Sequence, residues 1–224
     1  MTERNEFFKN IKVIGFDFDD TLVNEQYYIT TKWKAVLKRY SSLSLDLEKT
    51  FFKIYQEKGS SYKFHLDDTL HTLRIDIKYR DRILSEFKEN KGEERLLAGV
   101  IEFLKMVKYN GLRVGIITDG KESRQKERIK KARIYEIMDF IYYGNGKKEK
   151  KPNKKAMNKI FSSFKIKPEQ FLYIGNDFEI DIKGMLEIGA KACWVTSEKY
   201  PLEAKNFIKV KKLKEAQNIW KKEF

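Results

Sequence analysis

Residues 11–23 read IKVIGFDFDDTLV. The run is mostly apolar as far as Phe16 and then breaks into acids, with Asp17, Asp19 and Asp20 arriving within four residues. A short apolar segment ended this way predicts a buried strand over 11–18 whose carboxyl end carries charge.

Outward from that strand the pattern changes. Between about residues 24 and 95 the period is helical, with apolar residues at three- and four-residue steps over 27–40, 47–57 and 75–88. No strand pattern interrupts it, and about 70 residues of this kind suffice for a small unit of their own. Beyond it strand and helix alternate. A helix over 100–109 closes at Asn110-Gly111, a strand covers 112–118, and a charged amphipathic helix covers 122–133. A short strand at 140–143, a helix at 153–164 after Pro152, and a strand at 171–175 follow. A helix over 180–188 stops at Gly189, a strand covers 191–196, and the tail from Ala204 adds a strand at 208–210 and a last helix. Such alternation implies an α/β fold, a doubly wound parallel sheet with helices on both faces. The expected organisation is a Rossmann-like core of residues 1–23 and 96–224 interrupted by an α-helical domain at 24–95.

Composition narrows the class. The chain has 224 residues, 41% hydrophobic and 14% aromatic, enough for a real core despite 36% charged residues. One cysteine, Cys193, excludes a disulfide framework and a cysteine zinc site, and two histidines cannot build a multi-histidine metal centre. No apolar run approaches the roughly 18–20 residues of a membrane span. The N-terminus MTERNEFFKN carries acids and no signal-peptide core, so a cytoplasmic protein is expected. The formal net charge of +14 invites a nucleic-acid reading. The lysines, however, are spread along the chain and interleaved with acids, as on a solvated surface. Oligomeric state is left open.

Open parallel sheets bind ligands beyond the carboxyl ends of their strands. Here those ends are Asp17 to Thr21, Thr118-Asp119-Gly120, and Gly175-Asn176-Asp177 with Asp181 further on; a lysine cluster, Lys147 to Lys151, follows the 140–143 strand. Two carboxylates as close as Asp17 and Asp19 repel unless a cation or shared proton compensates. Mg²⁺ suits them, since it needs only one or two carboxylates with water and substrate phosphate, and Asp177 or Asp181 could complete its ligands. With charge neutralised by Mg²⁺ and Lys151, one carboxylate could attack phosphorus. The other could protonate the leaving oxygen and later deprotonate water. Thr118 could bind a phosphoryl oxygen through its hydroxyl and N–H.

These segments, VIGFDFDDTLV, VGIITDG, Lys151-Pro152 and YIGNDFEIDIKGM, occur in an order that resembles the haloacid dehalogenase superfamily of phosphohydrolases across roughly residues 11–197. The resemblance implies Asp17 as nucleophile and Asp19 as general acid/base. It implies Asp17, the Asp19 carbonyl and Asp177 as Mg²⁺ ligands, and Thr118 with Lys151 as the phosphate-binding, charge-neutralising pair; Asp119 joins them beside Thr118. Asp20 and Thr21 would shape the turn. Asn176 stands where many members carry an aspartate, leaving Asp181 as supporting or alternative ligand, and Lys150 is a rival to Lys151. Asp19 argues against dehalogenation, because halide leaves without a proton and an alcohol does not. The 24–95 insertion resembles the helical cap that closes such sites and helps choose substrate, which favours a small phosphorylated metabolite over a macromolecule. TDGKESRQKERIKKARI looks like the Thr-Asn-Gly…Gln…Lys pattern of members acting on nucleoside monophosphates or acylneuraminate phosphates, with Asp119 replacing the asparagine. The expected function is a Mg²⁺-dependent phosphatase of small phosphate monoesters working through an aspartyl-phosphate. The rivals are a phosphoglucomutase-like phosphotransferase and a catalytically silent or nucleic-acid-binding member of the fold.

Other residues read as structural. His65 and His71 lie six apart, the wrong spacing for one helix face. Cys193 falls in an apolar strand, and Trp33 with Tyr27, Tyr28 and Tyr40 has the spacing of helix packing.

Overall fold

A computed structural model describes residues 7–59, 62–144, 151, 154–198 and 206–223. The rival Lys150, the rest of the lysine cluster before it, Pro152, Asn153 and Ala204 lie outside the described residues. The chain divides into two compact units, one of Met1–Asn24 with Glu94–Phe224 and one of Glu25–Glu93.

The first unit is built on six parallel strands: β1 (Val13–Phe16), β2 (Arg113–Asp119), β3 (Phe140–Gly144), β4 (Phe171–Gly175), β5 (Lys191–Val195) and β6 (Phe207–Val210). Their order is β3-β2-β1-β4-β5-β6, so β1 is central and the winding reverses beside it. Alternate residues serve opposite faces, as the two-residue period of a strand requires. Ile14, Phe16, Val114, Ile116, Leu172 and Ile174 join one apolar layer, while Val13, Ile117, Phe171 and Tyr173 join the other. The first layer takes Phe103, Leu104 and Val107 from α5 (Val100–Tyr109) and Ala216 and Trp220 from α9 (Leu213–Glu223). The second takes Met157, Ile160 and Phe161 from α7 (Lys154–Phe164). Cys193 is fully buried on β5, where desolvation pushes its thiol pKa well up.

Gly15 is small for a reason. A Cβ there would stand 2.6 Å from the Phe171 ring and 3.1 Å from the Tyr173 ring, which pass across β1 at this point. The missing side chain lets Tyr173 reach from β4 to the Ile117 carbonyl on β2, 3.1 Å away.

The second unit contains α1 (Glu25–Arg39), α2 (Leu47–Lys58), α3 (His65–Thr72) and α4 (Arg80–Glu89) around its own core. Trp33 sits at its centre, stacked on Phe87 at 4.0 Å between ring centres and tilted against Phe51 at 4.5 Å. Tyr40 is buried in the same cluster. His65 is buried, with Nε2 2.9 Å from the Gly59 carbonyl, whereas His71 is exposed. The helix expected over 75–88 begins only at Arg80, after a 3₁₀ turn (Ile77–Tyr79), and α3 is a further helix within the stretch expected to be helical throughout. On the core side, α6 (Glu122–Lys131) stops two residues short of the expected end.

At the opposite end of β2 from Thr118, Asp139 braces the sheet. Its carboxylate accepts from Lys108 Nζ (2.8 Å), the Val114 N–H (2.8 Å) and Arg113 Nη1 (3.0 Å). Burial alone would raise this carboxyl's pKa, but those three donors together hold it below its ordinary value. A lowered folded-state pKa gives stability that is present above the unfolded value and lost as pH falls through the folded one. Asp139→Asn is therefore expected to lower unfolding stability by about 1–2 kcal/mol at neutral pH. In urea titrations the gap to wild type should close below about pH 4, near the unfolded carboxyl pKa; a gap that persists in acid would contradict the assignment.

Candidate active site

The carboxyl ends of β1, β2 and β4 carry the candidate residues. β1 is followed by a tight turn in which the Leu22 and Val23 N–H groups bond the Phe18 carbonyl and Asp20 N–H bonds Val23. Asp20 adopts φ 54°, a left-handed conformation that aspartate tolerates better than most residues. Thr21 is fully buried, and its hydroxyl donates to the Asn176 side-chain oxygen at 3.4 Å, tying this turn to the one after β4. Asn176 also gives its carbonyl to Trp194 Nε1 (2.9 Å). Both contacts make it a structural tie.

Lys151 forms the centre. Its side chain is 6% exposed, and Nζ lies 2.5 Å from Asp17 Oδ1, 2.8 Å from Asp181 Oδ1 and 3.3 Å from the Tyr173 hydroxyl. All three ammonium hydrogens thus have partners. The Lys151 N–H is received by Asp119 Oδ1 at 3.1 Å, so the Asp119 carboxylate positions the lysine backbone. Asp17 is 6% exposed and Asp181 1%. Burial raises the Asp17 pKa; Lys151 opposes the rise and the neighbouring Asp181 adds to it. Burial also opposes the Lys151 charge, but Asp17 and Asp181 hold the amine firmly cationic.

After β4 the chain forms a π-helical turn (Phe178–Lys183) and the short α8 (Gly184–Glu187), where one regular helix over 180–188 was expected. Asp177 caps this turn, its Oδ1 accepting from the Ile180 N–H at 2.9 Å. Asp181 Oδ2 accepts the Asp177 N–H at 3.1 Å. The Asp181 carboxylate is therefore taken up by Lys151 and the backbone, while the Asp177 side chain is on an exposed residue.

Asp19, two residues beyond Asp17, has different partners. Oδ2 accepts from Gln125 Nε2 at 3.2 Å, and Oδ1 pairs with Arg128 Nη1 at 2.7 Å, a close ion pair without a well-aligned hydrogen bond. Gln125, fully buried on α6, also donates to the Thr118 hydroxyl at 2.8 Å. Arg128 is 3% exposed, its Nε donates to Glu94 Oε1 at 2.6 Å, and its guanidinium stands 5.1 Å from the Phe18 ring centre. Glu94 and Arg128 went unnoticed in the sequence; Gln125 stood in the Thr-Asn-Gly…Gln…Lys resemblance without a role.

Mg²⁺ can be tested against this donor set. Among the described residues no three His, Cys, Asp or Glu side chains are arranged to hold a metal alone. Mg²⁺ does not need such a cage, since one or two carboxylates with water and substrate oxygens suffice. Two buried carboxylates, Asp17 and Asp181, share the one ammonium of Lys151, and the Asp177 carboxylate follows on the turn whose N–H Asp181 accepts, so oxygen donors and negative charge are in excess of the lysine. The hard oxygen donors present fit the ion.

The haloacid dehalogenase-like hydrolase family matches residues 14–195, and the chain belongs to that family. It is thus an enzyme of hydrolytic class. It is 27% identical over 202 residues to the glyceraldehyde 3-phosphate phosphatase of Pyrococcus furiosus, covering 86% of this chain and 83% of that protein. It is 22% identical over 209 residues to the pyrophosphatase PpaX of Bacillus cereus, covering 87% and 88%. Among solved structures, the magnesium-bound HAD-hydrolase YfnB of Bacillus subtilis superposes with a TM-score of 0.67 at 20% identity, covering 94% of this chain and 99% of that one. A HAD phosphatase of Thermococcus onnurineus superposes at 0.59 with 18% identity, covering 94% and 98%. These two likenesses establish the fold. No described helix is long and apolar enough to cross a membrane.

Gly175 leaves room for the Asp181 carboxylate: a Cβ there would stand 2.5 Å from Oδ2. Gly175→Ala would crowd the Asp181 carboxylate, whose other oxygen holds Lys151. It is expected to cost about 1–3 kcal/mol in thermal unfolding, as overpacking does, and about 10–100-fold in hydrolytic turnover, as a misplacement near 1 Å can. Unchanged stability and turnover would show that this close approach constrains nothing.

Proposed function

We propose that this enzyme is a Mg²⁺-dependent phosphatase of small phosphate monoesters, with Asp17 as its nucleophile. The observation that carries the reading is Asp17 itself. It is buried at the end of the central strand with one oxygen on Lys151, and it lies beside a second carboxylate, Asp19, that is engaged by other groups. Lys151 orients Asp17 and neutralises charge shared among carboxylate and substrate oxygens. The Thr118 hydroxyl, fixed by Gln125, and nearby backbone N–H groups receive phosphoryl oxygens; the Asp119 carboxylate, occupied by Lys151, takes part only through the main chain.

The Asp17 carboxylate attacks phosphorus, the bond to the leaving oxygen breaks, and an acyl phosphate forms on Asp17. Asp19 gives its proton to the departing alkoxide, then accepts one from the water that attacks the acyl phosphate, releasing phosphate and restoring Asp17. Asp17, the Asp19 carbonyl and Asp177 are the groups that would hold Mg²⁺; Asp177 is preferred over Asp181 because Asp181 is already committed to Lys151. When bound, the ion supplies charge neutralisation between carboxylate and phosphate. The inserted helical unit is taken as the family's cap, the part that selects substrate. The relatives' names support starting a substrate panel with three-carbon sugar phosphates and pyrophosphate.

Phosphate release from p-nitrophenyl phosphate and from that panel should require Mg²⁺ and stop with EDTA. Asp17→Asn should lower it on the order of 10³-fold or more while the protein stays folded. Turnover that survives Asp17→Asn, or that ignores EDTA, would overturn the reading.

A further inference from the structure

Asp19 is held from one side by a single helix face. Gln125 and Arg128 are three residues apart on α6, so they project together. One takes each carboxylate oxygen of Asp19. Arg128 is itself fixed: its Nε and Nη2 reach the two oxygens of Glu94, at 2.6 and 3.4 Å, and its Nη1 also lies 3.3 Å from Gln125 Oε1. The Glu94 side chain is fully buried. A guanidinium is a planar fork, so pairing one edge with Glu94 fixes where the rest of the group stands, with Nη1 2.7 Å from Asp19 Oδ1 as a close ion pair. Gln125 reaches the Lys151 side through the Asp119 carbonyl, at 3.2 Å, and the Asp119 carboxylate takes the Lys151 N–H, whereas Arg128 and Glu94 bear on Asp19.

We propose that Arg128, oriented by Glu94, is the positioning residue for Asp19, and that it governs proton delivery to the leaving group. The inference rests on the assignment of Asp19 as acid/base. The face of α6 that bears Gln125 and Arg128 sets where the Asp19 carboxyl sits, and Glu94, the first core residue after the inserted unit, sets Arg128. Arg128 makes no bond to substrate in this role; it works through Asp19.

Leaving groups separate positioning from mere support of the fold. p-Nitrophenolate departs readily without a proton, whereas a primary alkoxide needs one. Arg128→Met should therefore lower kcat/KM, which stops at leaving-group departure, on an alkyl phosphate such as glycerol phosphate by about 10²-fold or more, with kcat/KM on p-nitrophenyl phosphate falling several-fold at most. Arg128→Lys, which keeps the charge but not the fork, should recover part of the alkyl-phosphate rate. In an Asp19→Asn background Arg128→Met should add nothing further, since the group it positions is gone. Because Arg128→Met strands Glu94 without its counter-charge, Glu94→Gln/Arg128→Met carries the same comparison if the single variant does not fold.

Equal losses of kcat/KM on both substrates, or no loss on either, would overturn the proposal. So would full additivity with Asp19→Asn. If Asp19→Asn itself spares alkyl-phosphate turnover, the acid/base assignment fails; if it abolishes that turnover while Arg128→Met does not lower it, only the positioning role fails.

Discussion

One ammonium group organises the site. Lys151 Nζ, nearly removed from water, is shared by Asp17 and Asp181 and touches the Tyr173 hydroxyl. Charges withdrawn from water are costly unless every hydrogen finds an acceptor, and a buried pair of this kind is a poor source of stability. Much of the surrounding structure can be read as what this arrangement requires. Gly15 clears the path by which Tyr173 crosses β1, Gly175 makes room for Asp181, and Asp119 holds the lysine backbone. The result is a carboxylate of fixed direction at the end of the central strand.

Beside it runs a second set of contacts. Asp19 lies two residues from Asp17 but belongs to Gln125, Arg128 and Glu94. Two adjacent carboxylates with unlike surroundings can hold unlike tasks, one attacking and one moving protons. The two sets meet through Asp119, whose carbonyl takes Gln125 and whose carboxylate takes the Lys151 N–H, so the proposed division of labour rests on distinct nearest partners.

The sheet was legible because its strands are short apolar runs between helical periods, and β4 was read with its bounds as they stand. α3 lies in the stretch whose period is helical, but HLDDTLHT carries too few apolar residues to mark its bounds, although four of its eight side chains are buried. The break after β4 escaped because a π-helical turn keeps a helix-like pattern while Asp177 and Asp181 pin its start. Motif order nominated Asp17, Asp19, Thr118 and Lys151. It could not divide work between Asp177 and Asp181, since four residues of spacing say nothing about which carboxylate meets Lys151. Glu94 and Arg128 were invisible for a related reason. Their pairing joins segments 34 residues apart, and Gln125 meets Asp19 across 106, so no local pattern announces either contact.

As the nucleophile, Asp17 is expected to become phosphorylated during turnover. Rapid acid quenching during the first turnover, followed by peptide mapping by mass spectrometry, tests it most directly. One phosphoryl group is expected on the peptide carrying Asp17, present at early times and gone once substrate is exhausted. A phosphoryl group on another residue, or phosphate released at the full rate with no phosphoenzyme formed, would contradict it.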